Sequence, residues 1–259
     1  MLREPGEAAV IDRRTLLAGL LAPRLLHAQA APPTILAAGA TKHAVEELQE
    51  GLRAAGQPVP AAAYDTVGAL RDRVLAGERP AVVLLSAEAV AAIGARVAIP
   101  VDGVAAVGRT GVGLAAPAGR PSPDIGTPEA LRAALLATDS VAVADPARGA
   151  TAGRHFMGVL DRLGIAEAMR PKLRLVPFGV EGVALAARGE VPLAVSQATE
   201  ITDRPGVRLA GLLPDPLQLW TVYQVAALRD DEAARSLLRL FTSGAAREAF
   251  RRIGFQPLA

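Results

Sequence analysis

Thr34-Ile35-Leu36-Ala37-Ala38-Gly39-Ala40-Thr41-Lys42-His43-Ala44-Val45-Glu46-Glu47-Leu48 is the stretch that decides the fold. Thr34–Ala38 is a short apolar run of the kind a buried strand needs. From Thr41 to Ala55 the apolar positions Ala44, Val45, Leu48, Leu52 and Ala55 follow helical spacing. Between the two lie only small residues, Gly39 and Ala40. A strand that passes into a helix through so short a turn is half of a βαβ unit, and that unit builds parallel sheets with covered faces.

The same alternation continues outward. Pro58–Tyr64 is a weaker strand and Val67–Leu75 a helix with Asp65 or Thr66 as its N-cap. Ala81–Leu85 is a buried strand, followed by a helix over Ala87–Val97. Val104–Val107 and Gly111–Ala116 read as two strands joined by a turn at Gly108-Arg109-Thr110-Gly111. A second unit opens with Thr127-Pro128-Glu129, where Thr caps, Pro takes the first helical position and Glu favours the dipole. It continues with strands at Val141–Ala144, Leu173–Pro177, Val191–Val195, Val207–Leu212 and Leu219–Ala227. Helices are expected at 152–163 and 180–188, and at Asp230–Phe241 and Ala245–Ile253 at the end of the chain. The expected fold class is α/β, with two doubly wound lobes. The chain crosses between them twice, near Gly113–Pro117 and Gln218–Tyr223. Lobe 1 comprises 31–113 and 222–259, and lobe 2 comprises 114–221.

Composition narrows the function. Of 259 residues 51% are hydrophobic and 21% charged, with no cysteine, so disulfides, thiolate metal sites and a cysteine nucleophile are excluded. The net charge is +2, the arginines are scattered and aromatics make up 3%, which argues against a nucleic-acid surface. Residues 1–30 read as an export signal. Arg13-Arg14 precedes Thr15-Leu16-Leu17 in the manner of a twin-arginine motif, and Ala28-Gln29-Ala30 supplies small residues for cleavage after Ala30. A periplasmic location is expected. His43 and His155 are the only histidines beyond this segment, and neither has an acid at metal-ligand spacing. No G-x-S-x-G elbow is present, so no enzyme, metal or cofactor is expected.

Four strand-to-helix junctions are built of small residues: Ala37 to Thr41, Leu85-Ser86-Ala87, Asp145 to Gly153, and Pro177 to Val180. Helix starts carry unpaired N–H groups and the positive end of the dipole, and ligands of parallel sheets sit at the carboxyl ends of strands. A small anion is the expected ligand.

These segments, taken in order, resemble the molybdate-binding periplasmic proteins of ABC transporters. Ile35 to Thr41 with Ala44 to Leu48 is similar to the start of their mature chain. Val83-Leu84-Leu85-Ser86-Ala87 is similar to their second ligand segment, Gly111 to Pro117 to their first crossover, and Asp145-Pro146 through Gly153 to their Asn-Pro loop. Ala187-Arg188-Gly189-Glu190 through Ala194-Val195 resembles their later helix–strand unit. The resemblance covers 33–256 and implies a type II periplasmic-binding fold. It also implies a tetrahedral oxyanion, molybdate or tungstate, held by hydroxyls and backbone N–H groups without a counter-charge. The ligand residues it implies are Ala40, Thr41, Ser86, Ala150, Thr151, Ala152, Gly179 and Val180. It further implies a monomer that delivers its ligand to an ABC permease. The family's first serine falls at Ala40, the 145–153 loop is longer and holds Arg148, and Ser196-Gln197 stands where the family often has a ligand-contacting tyrosine. Ser196 and Gln197 therefore join the candidates. An organic carboxylate as ligand, a sensor in place of a permease as partner, and, ranked below both, a periplasmic enzyme on the same fold remain open.

Overall fold

The computed structural model describes residues 34–258 except Asp203. The expected export segment and the expected cleavage position after Ala30 lie outside the described residues. The first half runs β1 (Ile35–Ala38), α1 (Lys42–Ala54), β2 (Ala62–Asp65), α2 (Val67–Leu75), β3 (Val82–Ser86) and α3 (Ala87–Gly94) into a long β4 (Val104–Pro117). The second half runs α4 (Pro128–Ala137), β5 (Val141–Ala144), α5 (Thr151–Arg162), α6 (Ala166–Met169), β6 (Leu173–Val176), α7 (Gly179–Ala187), β7 (Leu193–Gln197), α8 (Ala198–Ile201) and β8 (Val207–Leu212). The chain then returns through β9 (Trp220–Ala227) and ends in α9 (Glu232–Thr242) and α10 (Gly244–Arg252).

Two sheets share β4. In the first the order is β2-β1-β3-β9-β4, with β1, β2 and β3 parallel and β9 antiparallel to both neighbours. In the second, β4 pairs with β7 on one edge and β8 on the other, and β7-β5-β6 continue in parallel. β4 leaves β9 after Gly111, which faces Trp220, and joins β7 from Val112, which faces Gln197. The Gln218 side chain fills the vacated pairing there. Its Nε2 donates to Val112 O at 3.0 Å, and its Oε1 accepts from Val112 N at 2.9 Å.

The alternation of strand side chains explains how each sheet is covered. Val112, Leu114, Val141, Val143, Leu193 and Val195 face one way and pack under α4 and α5 against Leu131, Leu135, Phe156 and Val159. Ala115, Ala142 and Ala194 face the other way, where small side chains let α7 come close through Val183 and Ala186. The first sheet has its own core, in which Ile35, Leu36 and Leu84 pack with Tyr223, Phe241 and Phe250. Thr66 and Thr127 cap their helices as expected, accepting from Ala69 N and Ala130 N.

One expectation is overturned. Gly108-Arg109-Thr110-Gly111 does not turn. The strand runs straight through it, and the irregularity is a register shift between Ala106 and Gly108 against β9. The two glycines mark a bulged strand, not a hairpin. The short α6 and α8 were not anticipated, and α8 turns out to carry the most unusual group in the protein.

Candidate functional site

The carboxyl ends of β1, β2, β5, β6 and β7 converge on one cavity of about 50 Å³. The first half contributes Ala38, Gly39 and Ala40 after β1, Asp65 and Thr66 after β2, and Tyr223 of β9. The second half contributes Ala144, the start of α5, Phe178 and Gly179 at the start of α7, and the end of β7 with α8.

Seven of the residues singled out in the sequence meet here: Ala40, Ala150, Thr151, Ala152, Gly179, Ser196 and Gln197. Three lie outside the lining. The Thr41 hydroxyl is fully buried and donates to Ala38 O at 2.8 Å, which commits it to closing the turn after β1. The Ser86 Oγ accepts from Ala89 N at 3.3 Å as the N-cap of α3. Val180 lines a separate depression with Lys42 and His43.

The two halves also touch beside the cavity lining, where Thr66 and Gly68 meet the loop before Ala150. Thr66 Oγ1 donates to Arg148 O at 2.5 Å, and Gly68 N donates to Gly149 O at 3.2 Å. Gly149 has φ +73°, and a Cβ added to it would lie 2.7 Å from Gly68 Cα, so backbone meets backbone here. Arg148 does not line the cavity. Its guanidinium lies 5.2 Å from the Phe178 ring centroid and 3.8 Å from Asp65 Oδ1, a clamp over the rim.

Glu200 was missed in the sequence. Its carboxyl is buried, and it lines the cavity. Ser196 Oγ donates to its Oε2, and the Gln197 backbone N–H donates to it from three residues earlier, as in a capping box. Burial pushes this carboxyl up from the ordinary glutamate range by more than the two hydrogen bonds hold it down. Burial, and then Glu200, raise the Tyr223 phenol as well. Gly39 and Gly179 make room for the group. A Cβ on Gly39 would fall 2.6 Å from Oε1, and one on Gly179 2.4 Å from Oε2. Beside it the Gln197 side chain is 3% exposed, and its Oε1 is buried without a partner among the described residues.

The lining holds helix-start N–H groups, hydroxyls, an amide and two carboxyls, and no lysine, arginine or histidine. Such a set holds an oxygen-rich ligand by neutral donors. No group of histidines and acids among the described residues could hold a metal ion.

Comparison with known proteins agrees with this architecture. The chain is 29% identical over 233 residues to an aconitate isomerase from a Pseudomonas species, with 87% of each covered. The periplasmic molybdate-binding protein of Azotobacter vinelandii superposes with a TM-score of 0.71 at 13% identity, covering 87% of this chain and 99% of that one. The sulfate-binding protein SubI of Mycobacterium tuberculosis gives 0.61 at 16%, covering 88% and 87%. The fold is thus the two-halved α/β fold of periplasmic solute-binding proteins. A family described as bacterial extracellular solute-binding protein matches residues 33–256, and the chain belongs to it.

Proposed function

We propose that the chain is exported, loses residues 1–30, and binds one small carboxylate anion between two lobes, 31–113 with 222–259 and 114–221, for delivery to an ABC permease. The observation that supports this most is the convergence of the α5 and α7 starts, whose first backbone N–H groups are free to donate, on one cavity. The choice of a carboxylate over molybdate rests on Glu200. A permanently doubly charged oxyanion sits poorly beside a second acid, whereas an organic acid can share a proton with it. The aconitate isomerase relative points the same way.

A thermal-shift series with molybdate, sulfate, cis-aconitate, trans-aconitate and citrate tests the ligand class. A ligand at a hundred times its Kd stabilises by about 2.7 kcal/mol. Stabilisation by the organic acids alone is expected. Stabilisation by molybdate alone would return the ligand to the oxyanions.

Glu200 also favours a second reading, in which the chain isomerises an unsaturated carboxylate as the relative's name describes. A carboxyl inside a binding cavity can take a proton from carbon and return it elsewhere. Proton NMR of cis-aconitate incubated with the protein separates the two readings: an unchanged spectrum keeps the chain a binding protein, and growth of the trans isomer makes it an enzyme.

A further inference from the structure

We infer that Glu200 is the specificity-determining group of the cavity, a neutral acid that donates its own O–H to one oxygen of the bound anion. This rests on the solute-binding reading above and names the charge class that the site selects: anions that bind together with one proton.

An ionised Glu200 next to an anion would set two negative charges side by side in one small cavity. The carboxyl is walled by Gly39 on one side and by Gly179 and Ser196 on the other. Ser196 and the Gln197 N–H already serve it as donors. The group's remaining capacity, if protonated, is one O–H.

The surrounding charges do not neutralise it. On α1, Lys42 and His43 are engaged with Glu46 at 3.6 and 3.3 Å. On β4, Arg109 lies over the Trp220 ring at 4.8 Å. Just past α7, Arg188 pairs with Glu190, and on β8 Arg208 reaches Arg120 O. Lys42, His43 and Arg204, the last just past α8, line one depression with Glu200, but none of them makes an ion pair with it among the described residues. Across the cavity stand the Tyr223 phenol and Asp65, the latter facing Arg148. An anion entering this space adds negative charge beside an acid with no cation of its own, so the acid keeps or takes up its proton.

The opposite arrangement is also chemically reasonable. The positive end of α7 abuts Glu200, and an ionised carboxylate there would fill the anion position with the protein's own charge. The two arrangements make opposite predictions. A carboxyl neutral in the folded chain and ionised in the unfolded chain binds more protons when folded. Stability attributable to it is full below the ordinary glutamate pKa and is lost as pH rises toward the raised folded value.

The test therefore starts with the protein alone. Melting temperatures of the wild type and Glu200→Gln are compared from pH 5 to 8. The wild type is expected to lose ground to the variant as pH rises, and parallel curves overturn the inference. Calorimetry with cis-aconitate in buffers of different ionisation enthalpy then reads proton uptake. The expected wild-type result is uptake approaching one proton wherever free Glu200 is ionised, with Kd rising up to about tenfold per pH unit there. Glu200→Gln, which keeps a donor, is expected to bind without that uptake and without that pH dependence. Loss of binding in Glu200→Gln with no uptake in the wild type shows an ionised acceptor and overturns the inference. If neither cis-aconitate nor any other anion of the thermal-shift series binds, the solute reading falls, and the melting comparison still decides the proton on Glu200.

Discussion

Ser86 and Thr151 occupy equivalent places, each where a parallel strand or its loop hands over to a helix, yet their hydroxyls have different neighbours. Ser86 accepts from Ala89 N and caps α3, while Thr151 opens α5 and lines the cavity. Ser86→Ala is expected to lower stability by about 0.5–2 kcal/mol and to leave anion affinity unchanged. Thr151→Ala is expected to weaken affinity by about 1–3 kcal/mol, roughly five- to a hundredfold, with little change in melting. Urea denaturation and calorimetry on both variants check the pair, and equal effects on affinity would place both hydroxyls at the ligand. This distinction was not legible in the sequence, because both residues read as small polar residues at a junction. Glu200 was less legible still. Written as Ser-Gln-Ala-Thr-Glu, it looks like the solvated acid of a helical turn. Its burial depends on Gly39 and Gly179 approaching from elements far away in the chain. The one local signal was its company: Ala198 and Ile201 are apolar neighbours within the same turn.

At the level of elements, the parallel strands and their helices could be read from period and punctuation, since buried strands such as Val82–Ser86 are uniformly apolar up to the last residue. β4 could not, because its glycines imitate a turn when no partner strand is in view. Once β9 is placed, Arg109 to Gly111 simply pair with Val222 to Trp220. Where β4 changes sheets, Gln218 stands in for a missing strand. Gln218→Ala would leave the Val112 N–H and C=O without these partners, and a loss of about 1–3 kcal/mol in a urea melt is expected. The start of α2 meets the loop before α5 through Gly68 and Gly149. Gly68→Ala adds a methyl 2.7 Å from Gly149 Cα inside a helix that gains about 1 kcal/mol of propensity from the change. The expected result is weakened anion binding at unchanged or higher thermal stability. A fall in both would mean that the contact supports the fold and not closure.

Across the whole molecule, the α/β layering, with helices covering parallel strands, was foreseeable from the order of elements. The way the halves face each other was not, because nothing in local sequence reports which loops meet across a gap. On the proposed reading, the protein recovered from the cell envelope begins at Ala31, and intact mass spectrometry checks it. A full-length cytoplasmic product would remove the export step. The contact of Thr66 and Gly68 with Arg148 and Gly149 has a kinetic consequence as well. These bonds run from the Thr66 hydroxyl and the Gly68 N–H to the Arg148 and Gly149 carbonyls, so they belong to the protein and not to any ligand. On the proposed reading, a held molecule leaves after they part, whatever its own chemistry. Residence times of tight and weak ligands should then share one upper limit on escape, set by how fast this contact unzips. Stopped-flow displacement with chemically different competitors should show the fastest departures levelling off at that common rate.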